Sequence, residues 1–394
     1  QSSGQSYSPV SATHEPVIQL PPLSLYVHIP WCVKKCPYCD FNSHVAKDNI
    51  PEPEYVAALI EDLKADLHWV QGRKLHSIFI GGGTPSLFSG SGIEAILIAA
   101  ESLIGFQPDI EITLEANPGT FEQNKFADFY HAGINRLSIG VQSFDDAHLD
   151  RLGRIHDSSQ ALRAISTARL VGFDNFNIDL MHGLPDQTID QAKTDLKLAM
   201  DAGAVHISWY QLTIEPNTEF FSRPPRLPVD DRLADIQQAG MSMLRENQFD
   251  QYEVSAFALD NKKASHNMNY WEFGDYLGIG AGAHGKITIP EQKQVIRTAK
   301  TRQPDHYLGR VGDPITTQKS IAIDEIALEF MMNGLRLKDG VPANFFPQRT
   351  GMSHETIKTV VSRLQSQGLL EQSSAHYRTT KLGYQFLNTV LEQF

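Results

Sequence analysis

The chain has 394 residues, is 41% hydrophobic, and sets 34 Lys or Arg against 46 Asp or Glu for a formal net charge of −12. That acidity argues against a general nucleic-acid binder, which needs a positive surface. The apolar run from Ile93 to Ile104 is broken by Glu94, Glu101 and Ser102, far short of the roughly 20 residues that span a bilayer. Residues 1–22, rich in Ser, Gln and Pro without a basic-then-apolar signal pattern, read as a disordered leader, and a cytoplasmic, reducing location follows.

From Leu23 onward short apolar strands alternate with amphipathic helices, the pattern of parallel βαβ units. Strands are predicted from Leu25 to Ile29, Ser77 to Ile80, Ile110 to Glu115, Arg136 to Val141, Asn175 to Leu180 and His206 to Leu212. Helices are expected from Glu54 to Val70, Phe121 to His131, Ser159 to Leu170 and Asp190 to Ala202, each ending near a glycine. Six units make an α/β fold of the partial, TIM-like (β/α)6 barrel type, placed over 23–250. In parallel barrels the functional groups gather where strands end, and here the strand ends carry a cysteine loop, Gly81-Gly82-Gly83-Thr84-Pro85, Glu115, Gln142 and Asp179.

The cysteine loop holds all three cysteines of the protein, Cys32, Cys36 and Cys39, at CxxxCxxC spacing. Three thiols within eight residues cannot form a disulfide framework, so a metal site is the better reading. Structural zinc normally takes four closed ligands. A four-iron four-sulfur cluster takes thiolates, and three of them leave one iron open. A ligand at that rim would find close backbone at the glycine run and hydrogen-bonding partners in Glu115, Gln142, Arg154 and Asp179. Read alone, Glu115 is also a solvated strand end and Arg154 a surface ion pair.

The cysteine spacing resembles the radical S-adenosylmethionine superfamily. That resemblance implies a 4Fe-4S cluster on Cys32, Cys36 and Cys39, S-adenosylmethionine on the open iron, and Tyr38 against its adenine. Tyr26, Gly-Gly-Gly-Thr-Pro, Glu-Ala-Asn-Pro-Gly at 115–119, Gly-Val-Gln-Ser-Phe at 140–144, Arg-Leu-Gly-Arg-Ile-His at 151–156 and Asp-Leu-Met-His-Gly-Leu-Pro at 179–185 look like the oxygen-independent coproporphyrinogen oxidase family. This implies S-adenosylmethionine contacts by Tyr26, Gly82, Gly83, Thr84, Glu115, Gln142, Arg154 and Asp179. Two branches divide that family. The dehydrogenases carry a further cysteine two positions after the triad and a long N-terminal arm, whereas Phe41 stands here. The HemW-type haem chaperones have the CxxxCxxCxF form and a His-Asn-x-x-Tyr-Trp motif, matched by His266-Asn267-Met268-Asn269-Tyr270-Trp271.

A neutral imidazole suits an axial position on haem iron, and Tyr270 and Trp271 offer flat apolar surface for a porphyrin; packing of a domain junction is the plainer alternative. This motif lies in a connecting region, 251–316. Gly280-Ala-Gly282-Ala-His284-Gly285 satisfies GxGxxG but leads into the β-branched stretch from Lys286 to Ile289 rather than a helix, so it reads as close turns and not a dinucleotide site. Residues 317–394 read as a C-terminal helical, winged-helix-like domain. Between Lys319 and Phe394 it sets eight Lys or Arg against seven Asp or Glu, too balanced for DNA.

The resemblance therefore implies a haem chaperone that holds haem near His266 and passes it to an unknown acceptor protein, with no nucleic acid and no transmembrane segment, peripheral membrane contact staying open. The rival is an enzyme, a coproporphyrinogen III dehydrogenase using the same cofactors, and a radical enzyme on another tetrapyrrole is a third reading.

Overall fold

The structure, a computed structural model, describes residues 16–46, 49–310 and 314–394. The expected leader lies outside these residues as far as 15. Its remainder is packed: Ile18 is buried in the C-terminal core, and the Gln19 amide donates to the Gln348 carbonyl at 2.7 Å.

One sheet of 12 strands organises the chain. In chain order these are β1 (Leu23–Ile29), β2 (Leu75–Gly82), β3 (Phe106–Ala116), β4 (Arg136–Gln142), β5 (Phe176–His182), β6 (His206–Gln211), β7 (Asp250–Glu253), β8 (Ala256–Ala258), β9 (Asp275–Ile279), β10 (His284–Ile289), β11 (Gln294–Lys300) and β12 (Ile315–Ser320). Strands β1 to β6 are adjacent, parallel and in sequence order, as the βαβ pattern predicts. A seventh parallel strand, β9, adds on the outer side of β1. Antiparallel strands β10 to β12 extend that edge, and β8 and β7 extend the other, so the barrel stays open.

Alternation along β1 explains its place. Leu23, Leu25, Val27 and Ile29 are wholly buried on the helix side, while Ser24, Tyr26 and His28 face the interior. The helices follow local signals: Asp157 with Gln160 and Thr188 with Gln191 form capping boxes that start Ser158–Val171 and Ile189–Asp201, and Gly172 closes the first at φ 118°. A second core of Phe330, Phe346, Leu364 and Val390 builds the C-terminal helical unit, joined by Phe273 and Val295 from the sheet region. Since Ile315–Ser320 pairs with β11, that unit begins only after Ser320.

The interior of the open barrel is filled by a short helix, α1 (Ser265–Trp271). Glu111 accepts from the Ser265 and His266 amides at its start, at 2.9 and 3.2 Å. Asn269 then donates to Ser24 Oγ at 2.9 Å and the Asp275 carbonyl at 3.1 Å, fixing the helix against β1 and β9.

Candidate functional site

After β1 the chain turns at Pro30, and Trp31–Cys32 pairs with His44–Val45, folding the cysteine loop back over the strand ends. Cys32 is buried, Cys36 and Cys39 are half-buried, and all three thiols are free. They line a cavity of about 420 Å³ together with Tyr38, Gly82, Gly83, Thr84, Glu115, Gln142, Arg154 and Asp179. Residues far apart in sequence, from Cys32 to Asp179, thus meet at the carboxyl ends of β2 to β5 and the loops beyond. Tyr26 and His266 do not line this cavity. They face an adjoining one of about 580 Å³.

Each wall of the first cavity has a local cause. Gly82 sits at φ 117° and its amide donates to Glu115 Oε2 at 3.0 Å. At Gly83 a Cβ would fall 2.7 Å from the Trp31 carbonyl carbon, so the glycine is needed for the approach of the cysteine loop itself. Gln142 adopts φ 72°, a left-handed conformation costing a non-glycine residue about 1 kcal/mol, and accepts from the Tyr210 hydroxyl at 2.7 Å. Arg154 is no surface ion pair. Its guanidinium donates to the Gly140 carbonyl at 2.7 Å, Asn117 Oδ1 at 2.9 Å and Cys36 Sγ at 3.4 Å, and its buried Nε has no partner.

Burial, with Asp179 nearby, pushes Glu115 up to about 8; burial also raises Asp179, against hydrogen bonds from Asn177, Ser208 and Ser138. Two buried carboxyl groups facing one cavity favour a cationic ligand, and a sulfonium with an ammonium group meets that demand. Among the described residues no three His, Cys, Asp or Glu side chains converge as a single metal ion needs; a four-iron cluster seats each thiolate on a different iron. The donor set and the acidic wall fit a cluster with S-adenosylmethionine.

The second cavity is aromatic. His266 stacks on Phe79 at 4.9 Å with its Nδ1 3.4 Å from Ser77 Oγ, and burial lowers its pKa to about 3, so the imidazole is neutral. Tyr270 stacks on Tyr276 at 5.0 Å. His28 also lines the cavity, but its two ring nitrogens are engaged by the Tyr26 hydroxyl at 2.7 Å and the Asn42 carbonyl at 2.8 Å. Phe79, Tyr276, His284 and Arg302 complete the wall and escape sequence reasoning, since they come from separate elements without a shared motif. The glycine run makes the expected close turns: Gly280 and Gly282 have positive φ and pack against the His28 carbonyl and Asn42. Phe41, Gly82 and Glu115 line both cavities, which therefore share a wall.

Residues 26–199 match the radical SAM superfamily and residues 322–386 the HemN C-terminal domain. A heme chaperone HemW of Haemophilus influenzae is 49% identical, with 95% of this chain and 98% of the relative covered. The chain belongs to the HemW family. The HemW of Escherichia coli K12 is 47% identical over 96% of this chain and 99% of the relative, and a mouse mitochondrial radical S-adenosyl methionine domain-containing protein 1 is 36% identical over 99% and 89%. Among solved structures, the radical SAM coproporphyrinogen III oxidase HemN of E. coli superposes with a TM-score of 0.79 at 22% identity, covering 95% of this chain and 90% of that one, a likeness of fold. Membership of the HemW family and the radical SAM superfamily implies a 4Fe-4S cluster and S-adenosylmethionine. No helix of the described residues is long and apolar enough to cross a membrane.

Proposed function

We propose that the chain is a haem chaperone, in which Cys32, Cys36 and Cys39 hold the cluster, the rim residues of the first cavity hold S-adenosylmethionine, and the second cavity holds haem. The observation that carries the reading is the shared wall of Phe41, Gly82 and Glu115 between a thiol-lined cavity and an aromatic one. Bound together, a cluster and S-adenosylmethionine supply one-electron chemistry.

The chain's own groups then have defined tasks. Gly82 and Gly83 bring backbone to the rim, Thr84 and Gln142 offer hydroxyl and amide groups to a ribose or carboxylate, and Glu115 and Asp179 receive the cationic end of the ligand. Tyr38, half-buried beside Phe220, offers an aromatic face for an adenine. Arg154 holds the Cys36 thiol and cross-links it to β4 through the Gly140 carbonyl. In the second cavity, neutral His266 would present a lone pair to iron, while Phe79, Tyr270, Trp271 and Tyr276 would offer flat apolar surface to the macrocycle. Tyr26 reaches this side, its hydroxyl bonded to His28. An open cavity in which His266 is the iron-facing imidazole is suited to giving its haem to an acceptor protein. The free thiols are in keeping with a reducing, cytoplasmic setting.

The reading is tested by titrating haem into the anaerobically reconstituted protein and following its absorption band. One equivalent should bind, and His266→Ala should weaken it at least tenfold without change in iron content. Equal binding by the variant would remove His266 from the site.

A further inference from the structure

The second cavity holds one guanidinium. Among the described residues lining it, Arg302 is the only Lys or Arg, and it also lines the mouth cavity of about 760 Å³ that opens beside it. Its backbone is fixed: the Arg302 carbonyl accepts from Asn42 Nδ2 at 3.0 Å, and the preceding Thr301 carbonyl accepts from the Gly282 amide at 2.8 Å. Its side chain is exposed and, among the described residues, makes no ion pair or hydrogen bond. Burial lowers the pKa of His284, which lines the same cavity, with the charges of Arg297 and then Arg302 adding to the effect. The Glu115 carboxyl stands in the wall shared with the first cavity.

A haem is an apolar disc with two carboxylates on one edge. The wall shared with the first cavity offers that edge a carboxyl group and no cation, whereas the unengaged guanidinium at the mouth attracts it. We propose that Arg302 binds a propionate carboxylate of the haem and so sets its orientation, propionates toward the mouth and the apolar edge away from it. The planar fork of Arg suits a carboxylate bidentately, where Lys offers a point charge. Lys35, at the same mouth, is already bonded to the Phe41 carbonyl at 3.3 Å, and Asp40 and Glu215 lie there too, which leaves Arg302 as the anchor. The proposal rests on the haem reading of this cavity.

Haem and its dimethyl ester, which has the same macrocycle and iron without the carboxylate charges, separate the two claims. Both are titrated into the full reconstituted chain and into Arg302→Gln and Arg302→Lys. The wild-type protein should bind haem about tenfold tighter than the ester, Arg302→Gln should lose that margin while binding the ester unchanged, and Arg302→Lys should fall between. Haem binding that Arg302→Gln leaves untouched, or an equal loss for haem and ester, would overturn the anchor alone. Binding of neither porphyrin to the wild type would overturn the haem reading and the anchor with it.

Discussion

Gly83→Ala gives the sharpest test of how the fold presents the cysteine loop. An added Cβ would stand 2.7 Å from the Trp31 carbonyl carbon and 3.0 Å from its nitrogen, and closer still to the oxygen. These are backbone atoms of the residue before Cys32, so no side chain can rotate away. Relief requires the Trp31 peptide to move by roughly 1 Å, an overpacking change of about 1–3 kcal/mol. The same peptide accepts from the Thr84 amide at 2.7 Å, and the Gly83 amide donates to the Ile29 carbonyl at 2.7 Å. Loss of one of these bonds adds about 1 kcal/mol, for a total of about 2–4 kcal/mol. Gly72→Ala is the control, because Gly72 has φ 77° but nothing within 4 Å of its Cβ position, so only the backbone penalty of about 1 kcal/mol applies. Denaturant unfolding of the full chain measures both, and iron content after anaerobic reconstitution measures the position of Cys32. Gly83→Ala should be the less stable and should load less iron, while Gly72→Ala loads fully. Equal stability and equal iron in the two variants would refute the close approach.

Buried charge sets three further expectations. Glu115 has its pKa raised to about 8 in the folded state, from an ordinary value near 4.5, by burial and Asp179; its contribution to stability is therefore present below about pH 4.5 and lost as pH rises toward 8. The melting temperature of the wild type should fall more than that of Glu115→Gln across this window, and parallel curves would count against the shift. Lys300 donates to Asp62 at 2.5 Å and Asp66 at 2.7 Å with all three groups buried, so Lys300→Met should cost about 3–5 kcal/mol. Burial raises Asp66 to about 6, and below about pH 5 its protonation should shrink that cost; a loss under about 1 kcal/mol near neutral pH would contradict the pairing. Arg154→Met removes a charge-assisted bond to the Cys36 sulfur worth about 1.5–3 kcal/mol, and since such a bond favours the more negative reduced cluster, its reduction potential should drop, by at most about 60–130 mV, in potentiometric titration. An unchanged potential would mean that the guanidinium does not touch that ligand once the cluster is in place.

The rim of the first cavity is legible in the sequence because each of its residues sits at a fixed offset from a strand end. Glu115 and Gln142 lie at the ends of β3 and β4 and Asp179 three residues before the end of β5, and the period of a strand decides which of them face inward. Tyr26, three residues before the end of β1, faces the second cavity, where its neighbours are Phe79 and His28. The seventh parallel strand escapes the sequence pattern because β9 runs into Gly278 and Gly280, and glycine masks strand propensity; with it go Tyr276 and the second cavity's far wall. Arg302 belongs to no motif and His284 only to the glycine run, and only the fold brings them to the His266 helix. The packing of 16–22 is hidden by its Pro and Gln content, against which the burial of Ile18 and Pro21 prevails.

The central claim is that the protein carries haem and does not make it. The most direct measurement gives the reconstituted protein two tasks under anaerobic conditions: coproporphyrinogen III with S-adenosylmethionine and reductant, scored by carbon dioxide release, and haem loading followed by mixing with an apo-haemoprotein, scored by the acceptor's absorption spectrum. No carbon dioxide above background is expected, and intact haem should be transferred by the wild type but not by His266→Ala. Repeated turnovers of decarboxylation that require Cys32, Cys36 and Cys39 would contradict that claim.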